Sequence, residues 1–79
     1  MNLKFSIHFQ QAIIERNISV DHLKKTIRNP DIVRQSFNGR MIATKAVDDK
    51  VLEVVYIERA MTKNKSEFQI ITAYYILNK

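Results

Sequence analysis

The sequence predicts an α+β fold in which two N-terminal helices pack on one face of a four-stranded antiparallel sheet. Two segments with helical spacing and serine caps come first, and the hydrophobic period changes to two after Pro30. Between the first two predicted strands lies Asn38-Gly39, a dipeptide typical of hairpin turns. Helices that precede every strand can cover only one face of the resulting meander, so the other face is expected to be open. With 79 residues, the chain is predicted to form a single domain over residues 1–79.

The two helices are predicted from caps and stop signals. Ser6 is a favourable N-cap for a helix over residues 7–16, and Asn17 ends it because asparagine tolerates the left-handed conformation. Ser19 caps a second helix over residues 20–28. The Asn-Pro-Asp sequence that follows stops this helix, because the residue before a proline avoids the α region.

The rest of the chain is predicted to form strands separated by turns. Alternating apolar and polar residues predict strands over residues 32–37, 40–47, 51–59 and 67–76. Asp48-Asp49 marks a turn, and residues 60–66 are expected to be a polar connection. Residues 1–5 are either a short strand or a disordered start, and the pattern leaves both open.

The composition is that of a globular, basic, cysteine-free protein. Hydrophobic residues make up 46% of the chain, and 13 Lys and Arg against 8 Asp and Glu give a formal charge of +5. This charge favours a polyanionic partner such as RNA, or an acidic protein. The absence of cysteine excludes disulfides and thiolate metal sites. The single glycine excludes P-loops and dinucleotide-binding fingerprints.

The sequence predicts neither a targeting segment nor a membrane span. The N-terminus alternates polar and apolar residues, and the longest apolar run is too short to cross a bilayer. We therefore expect a cytoplasmic protein with no membrane partner. His8 and His22 stand on different helices without the carboxylate spacing typical of zinc, so no metal and no cofactor is expected. His22 is expected at the surface.

Several short motifs follow one another in a distinctive order. They are Phe5-Ser6 followed by His8, Glu15-Arg16 before Ile18-Ser19, Asn29-Pro30-Asp31, the strand around residues 52–56, and Ile71-Thr72-Ala73-Tyr74. Their order and spacing resemble a bacterial domain-of-unknown-function family over nearly the whole chain. The chain departs from that family's pattern at Phe9 and Ala12, where the family often has alanine and arginine.

That family in turn looks like a distant relative of the BrnT and RelE/ParE toxins, which are small basic proteins with helices packed on an antiparallel sheet. Many of those toxins are ribonucleases that cut mRNA without a metal, some ParE-type members act on gyrase, and they are usually paired with an antitoxin. The resemblance implies a RelE/BrnT-like RNA-binding protein, either a metal-independent endoribonuclease of a toxin–antitoxin system or a toxin-derived binding module. It also implies an acidic antitoxin as a partner.

Four residues are candidates for the chemistry of metal-free RNA cleavage. Such cleavage needs a group that takes the 2′-hydroxyl proton, cations that stabilise the phosphorane, and an acid for the leaving oxygen. The candidate catalytic residues are His8, Arg40, Arg59 and Tyr75. His8 shares a helix stripe with Glu15, although this stripe also fits the solvated side of an amphipathic helix. Tyr74 and Tyr75 are adjacent in the predicted strand, so their side chains point to opposite faces of the sheet. Tyr75 is predicted to be exposed for base stacking, and Tyr74 is predicted to lie in or beside the core.

Four further cations are candidate contacts to RNA, namely Arg16, Lys45, Lys63 and Lys65. Lys45 interrupts an apolar strand and is predicted to lie on the open sheet face, where cross-strand pairing with Glu53 is the structural alternative. The two lysines of the polar connection form, with Arg59, a basic edge suited to phosphate, and a mobile charged loop is the alternative. Arg16 lies toward the apolar side of its helix, where pairing with a carboxylate is the alternative.

Two other functions fit the same sequence. A non-catalytic interaction module would use the sheet, or the last strand as an apolar edge, to bind an acidic protein or a second copy in a homodimer. A DNA-binding accessory protein of a mobile element would use the helix pair, whose connecting turn has helix-turn-helix length.

Overall fold

The computed structural model describes residues 2–77 as five strands and two helices. In chain order these are β1 (Asn2–Phe5), α1 (Ile7–Glu15), α2 (Val20–Arg28), β2 (Ile32–Gln35), β3 (Met41–Val47), β4 (Lys50–Thr62) and β5 (Lys65–Leu77), with a 3-10 turn at Phe37–Gly39 between β2 and β3. The strands form one sheet in the order β1-β5-β4-β3-β2. The predicted four-stranded antiparallel sheet is wrong, because β1 is a fifth strand that pairs in parallel with β5. The fold is a mixed-sheet α+β fold.

β1 resolves the alternative that the sequence left open at the N-terminus. Its four residues pair with residues 67–70 of β5, and Leu3 and Phe5 pack against the core. On the opposite side of the strand, Lys4 forms an ion pair with Glu67, with 3.3 Å between Nζ and Oε1. The strand alternates polar and apolar residues, but it is only four residues long and its partner lies at the other end of the chain. A local pattern therefore could not predict this pairing.

Both helices begin at the caps that the sequence predicts. The Ser6 hydroxyl accepts the backbone N–H of Phe9, and the Ser19 hydroxyl accepts that of His22. Asn17 has φ 53°, the left-handed conformation that terminates α1. The bounds of α2 are as predicted, and α1 ends one residue earlier than predicted. Neither helix within residues 2–77 is long and apolar enough to cross a membrane.

The helices cover one face of the sheet, and the core lies between the two layers. The largest fully buried side chains are Phe9, Leu23, Leu52, Ile70, Val54 and Thr26. The hydroxyl of Thr26 donates to the backbone carbonyl of His22 at 2.8 Å. The buried hydroxyl therefore has a hydrogen-bond partner, and its burial does not cost the free energy of an unpaired polar group.

β4 and β5 form a long hairpin. β4 extends to Thr62 and β5 begins at Lys65, so only Lys63 and Asn64 form the turn. The predicted polar connection over residues 60–66 is wrong. Polar side chains are compatible with strand structure here because the end of the hairpin is exposed to solvent.

A bulge in the hairpin decides which side chains face the helices. The register of the ladder shifts between Val55 and Tyr56 of β4, which leaves Ile71 of β5 as an extra residue. One extra residue reverses the alternation beyond it. Tyr75 therefore lies on the helix side, and Tyr74 lies on the open face with 39% of its surface exposed. The predicted positions of these two tyrosines are both wrong.

Lys45 also lies on the helix side. It pairs in register with Leu52, which is fully buried. Its Nζ donates to the carbonyl of Asn29 at 2.8 Å and lies 3.6 Å from Oδ1 of Asp31. The predicted position on the open face and the predicted pairing with Glu53 are therefore wrong, because adjacent positions of a strand point to opposite faces.

The last strand is not an edge of the sheet. β5 lies between β1 and β4, and the two edges are β1 and β2. The sequence predicts self-association through the last strand. The backbone of residues 67–70 is not free for such pairing, because β1 already pairs with it.

Candidate functional site

An open cleft of about 300 Å³ lies where the α1–α2 turn meets the β3–β4 turn. Its polar lining comes from Asn17, Ser19, His22, Asp48, Asp49, Lys50 and Tyr75. These residues belong to four different parts of the chain. The fold therefore brings chemically active side chains together that no local motif contains.

The centre of the cleft is the contact between His22 and Tyr75. The Tyr75 hydroxyl lies 2.8 Å from Nδ1 of His22, and the two rings meet edge to face at 5.9 Å between centroids. The backbone N–H of Ser19 donates to the same hydroxyl at 3.1 Å. The hydroxyl can donate its proton to Nδ1 in the tautomer of His22 that has its single imidazole proton on Nε2. The carboxylate of Asp48 beside Nε2 favours that tautomer.

Two charged groups flank this contact. Nε2 of His22 faces Oδ2 of Asp48 at 3.6 Å. The ammonium of Lys50 lies 5.0 Å from the centroid of the Tyr75 ring, within the range of a cation–π interaction. Asp48, His22 and Tyr75 thus form a carboxylate–imidazole–phenol series, which we call the His22 relay.

Local structure positions each member of the relay. Because Ser19 caps α2, His22 falls in the first turn of that helix, and its backbone N–H is the one that the cap binds, at 3.3 Å. The Ile71 bulge turns Tyr75 toward the helices. Tyr75 pairs with the third residue of β4, so it lies beside Lys50, the first residue of that strand, and beside the β3–β4 turn. Asp48 occupies that turn with φ 57°, a conformation that aspartate adopts more readily than most residues.

The cleft contains charges of both signs. Lys50 is opposed by Asp48 and Asp49, so the cleft is not a simple anion site. What the arrangement offers is proton transfer: the phenol and imidazole can exchange a proton, and the carboxylate stabilises the imidazolium that results. The exposed ammonium can meet a negative charge that develops on a bound molecule.

A second polar cluster lies on the open face of the sheet. Glu53 is only 9% exposed; its Oε1 accepts a hydrogen bond from Arg34 at 2.9 Å, and its Oε2 accepts the hydroxyl of Tyr74. The hydrogen bond to Glu53 raises the pKa of Tyr74, with smaller contributions from burial and from the carboxylate charge, while Arg34 opposes them. Both carboxylate oxygens are engaged within the chain, so this cluster stabilises the sheet and does not provide a free base.

A larger depression of about 470 Å³ lies at the tip of the β4–β5 hairpin. Its lining residues are Asn2, Met61, Asn64, Lys65 and Ser66. Among the residues that the structure describes, Lys65 is its one titratable lining residue, and these residues offer no pair of groups for proton transfer. The His22 relay is the better candidate for chemistry.

The four predicted catalytic residues do not come together. His8 is exposed on α1, and Arg40 is exposed at the β2–β3 turn. Arg59 lies seven positions along β4 from Leu52, the register partner of Tyr75, a separation of roughly 23 Å along an extended strand. Of these four residues, only Tyr75 lies in the cleft.

The four predicted RNA contacts are dispersed as well. Lys63 and Lys65 are exposed at the hairpin tip, and Lys45 is held at the end of α2. Nη1 of Arg16 donates to the hydroxyl of Thr72 at 3.1 Å and to the carbonyl of Ala73 at 2.9 Å. Arg16 thus ties the end of α1 to β5.

Sequence reasoning missed His22, Asp48 and Lys50. The first residues of a helix are often solvated, aspartate is an ordinary turn residue, and lysine is mostly exposed wherever it occurs. The available signal was the position of His22 next to a strong N-cap, where its backbone is fixed. What brings the three together is the packing of α2 beside the β3–β4 turn, and no local pattern contains that information.

Comparisons with known proteins bear on the family of this chain. No curated protein and no solved structure matches it, and no comparison ties it to the BrnT or RelE/ParE toxins. The family pattern described as "Domain of unknown function (DUF4258)" matches residues 5–75. That span includes every member of the His22 relay. The chain therefore belongs to the domain-of-unknown-function family DUF4258.

Proposed function

We propose that this protein is a toxin-type, metal-independent endoribonuclease whose active site is the cleft around His22 and Tyr75. The observation that carries the proposal is the 2.8 Å contact between the Tyr75 hydroxyl and Nδ1 of His22, inside an open cleft. A phenol and an imidazole in contact can act as a base and an acid, with Lys50 as the cation that RNA cleavage also requires. The expectation from the sequence, that the family is a distant relative of ribonuclease toxins, favours the same reaction class.

The proposed reaction is attack of a ribose 2′-oxygen on the adjacent phosphorus. Tyr75 accepts the 2′-hydroxyl proton as its own proton passes to Nδ1 of His22. The 2′-oxygen–phosphorus bond forms, the bond from phosphorus to the 5′-oxygen breaks, and the 5′-oxygen takes a proton back from His22. The products are a 2′,3′-cyclic phosphate and a 5′-hydroxyl end. Asp48 stabilises the imidazolium, and Lys50 stabilises the negative charge on the phosphate.

Binding of RNA rests on the charge of the whole chain more than on the cleft. The formal charge is +5, whereas the cleft itself contains two aspartates beside Lys50. Exposed cations on the same helix as His22 are Lys24, Lys25 and Arg28. Phosphate contacts of this kind give affinity that falls with added salt and carries no base specificity.

Cleavage of RNA in the presence of EDTA tests the proposal. Wild-type protein is expected to yield ends with 2′,3′-cyclic phosphate, and His22→Ala and Tyr75→Phe are expected to reduce the rate by roughly 100-fold or more. The matched control is His8→Ala, which removes the exposed histidine of α1 and should leave the rate unchanged. Wild-type protein that leaves both free and ribosome-bound RNA intact would overturn the proposal, as would loss of activity in His8→Ala alone.

The toxin role can be tested separately in a bacterial host. Induced expression is expected to arrest growth, and His22→Ala but not His8→Ala should relieve the arrest. We propose a small acidic antitoxin as the natural partner, since it would complement the positive charge. Growth that is unaffected by wild-type expression would contradict the toxin role without touching the in vitro activity.

A further inference from the structure

The cleft contains a carboxylate that the His22 relay does not use. Asp48 faces Nε2 of His22 at 3.6 Å, whereas Asp49, the next residue of the same turn, forms no ion pair within residues 2–77. Asp49 is exposed and lines the cleft beside Lys50. Its negative charge weakens the attraction of the cleft for a phosphate. The carboxylate of Asp49 is better matched to hydrogen-bond donors of a ligand.

The floor of the cleft is apolar. It is lined by Ile18 and Val47, which are only 5% and 6% exposed. The flat faces of a nucleobase gain free energy when they leave water for such a surface, whereas a phosphate does not. The volume of about 300 Å³ is at the lower end of the range for ligand pockets. The cleft therefore suits the base of a single nucleotide.

The α1–α2 turn places a side-chain amide on the cleft opposite the β3–β4 turn. Asn17 lines the cleft and is exposed. Its backbone has φ 53°, and its N–H donates to the carbonyl of Ile14 at 3.2 Å. Glycine adopts this backbone conformation at least as readily, so the turn does not require the amide of Asn17. The amide can donate a hydrogen bond to a ligand, while the carboxylate of Asp49 can only accept one.

We propose that the cleft binds a guanine base, with Asp49 accepting hydrogen bonds from its N1–H and 2-amino groups and Asn17 donating to its O6. Guanine is the one RNA base with two adjacent donors on its Watson–Crick edge. Adenine and cytosine present a ring nitrogen lone pair beside their amino group, and uracil presents one N–H between two carbonyls. A carboxylate repels those lone pairs, so Asp49 selects guanine against the other three bases.

The guanine site deepens the proposed ribonuclease and rests on it for the position of cleavage. Because Tyr75 accepts the proton of the 2′-hydroxyl in that reaction, the base in the cleft belongs to the nucleotide whose ribose attacks. Cleavage is therefore expected on the 3′ side of guanosine, which leaves an end with guanosine 2′,3′-cyclic phosphate. Binding of the base requires no cleavage, so the site and the reaction can be tested separately.

Titration with the four nucleoside 3′-monophosphates, followed by NMR chemical shifts, tests the site. Wild-type protein is expected to bind guanosine 3′-monophosphate at least roughly 10-fold more tightly than the other three. Asp49→Asn should lose this preference and favour the adenosine or cytidine nucleotide, because an amide both donates and accepts. Asparagine is as good a turn residue as aspartate, so the fold should be kept.

The matched control is Asp21→Asn, which removes the same charge from an exposed position of α2 outside the cleft lining. It should keep the guanine preference. Wild-type protein that binds all four nucleotides equally, or none of them, would overturn the proposal. An unchanged preference in Asp49→Asn, or an equal loss in Asp21→Asn, would do the same.

Cleavage of oligonucleotides that differ in one base tests the position of the cut. Wild-type protein should cut after guanosine at least roughly 10-fold faster than after the other bases, and inosine, which lacks the 2-amino group, should be intermediate. Asn17→Gly keeps the left-handed backbone and should reduce the preference for guanosine without loss of stability. Equal cleavage after all four bases would overturn the guanine preference and leave the ribonuclease standing. Binding of guanosine 3′-monophosphate without any cleavage would overturn the ribonuclease and support the guanine site.

Discussion

The hydroxyl of Tyr75 lies 2.8 Å from Nδ1 of His22 and accepts the backbone N–H of Ser19 at 3.1 Å. One side chain of β5 thereby contacts both the cap and the first turn of α2. The same hydroxyl holds the helix to the sheet and forms the centre of the cleft. Variants at these residues should therefore change stability and activity in different proportions, and the proportions distinguish the two roles.

Tyr75→Phe should reduce the free energy of unfolding by about 1–3 kcal/mol, because the partly buried N–H of Ser19 loses its acceptor. His22→Ala should reduce it less, since the bond from Ser19 to Tyr75 persists in that variant. Urea denaturation monitored by circular dichroism measures both. Equal stability of Tyr75→Phe and wild type would show that the hydroxyl does not hold the helix.

Removal of each N-cap in turn should distinguish a cap that affects only stability from a cap that also affects RNA cleavage. Ser6→Ala and Ser19→Ala should each lower stability by about 1 kcal/mol, because each hydroxyl satisfies an N–H of a first helical turn. Only Ser19 binds the backbone of His22, so only Ser19→Ala should also slow RNA cleavage. Thermal denaturation gives the first effect and the EDTA-resistant cleavage rate gives the second. An equal loss of cleavage in both variants would contradict a specific role for the second cap.

The helices could be predicted from the sequence because their signals are local. Ser6, Asn17 and Ser19 mark boundaries through hydrogen bonds and dihedral angles within a few residues of themselves. The β2–β3 turn is a similar case, since Asn38 and Gly39 both have positive φ, as an Asn-Gly turn requires.

The sheet and the site could not be predicted in the same way. The parallel pairing of β1 joins the two ends of the chain, and the extra residue at Ile71 has no sequence mark of its own. That single residue exchanged the faces of Tyr74 and Tyr75, so a stacking candidate became the partner of His22. The alternation of side chains along a strand identifies the residues that share a face of the sheet only as far as the first bulge.

Replacement of Arg16 should distinguish a structural role from the RNA contact that the sequence predicts. Arg16→Ala should lower stability by about 1–3 kcal/mol, because two hydrogen bonds from a charged group to β5 are lost. Arg16→Lys keeps the charge but not the guanidinium geometry, so it should also lose stability. Urea denaturation gives the stability, and fluorescence anisotropy with labelled RNA gives the affinity.

The expected outcome is a stability loss in both Arg16 variants with RNA affinity unchanged. The exposed Lys63 provides a control for the stability measurement, because Lys63→Ala should leave the free energy of unfolding unaltered. If Arg16→Ala weakens RNA binding while Arg16→Lys retains it, the charge of Arg16 contacts RNA and the structural interpretation is incomplete.

Stability at alkaline pH should depend on Tyr74. Its hydrogen bond to Glu53 raises its pKa in the folded state, whereas in the unfolded chain a tyrosine titrates near pH 10. The folded state therefore keeps the proton longer, and the associated stability is fully present below about pH 10 and is lost as the pH rises through the folded pKa. Tyr74→Phe should lose stability less steeply than wild type above about pH 10, as measured by urea denaturation at several pH values.

Tyr56 provides the comparison for this titration. Burial, assisted by the charge of Glu58, raises the pKa of Tyr56. Tyr56→Phe should therefore also make the loss of stability with rising pH less steep. Glu53→Gln should reduce the contribution of Tyr74 to the alkaline loss of stability and leave that of Tyr56 in place, because Glu53 raises the pKa of Tyr74 and not that of Tyr56. The ultraviolet absorbance of ionised tyrosine gives an independent reading, in which Tyr74→Phe should remove a component that titrates above pH 10. Identical alkaline slopes in wild type and Tyr74→Phe would show that the carboxylate of Glu53 does not hold the proton of Tyr74.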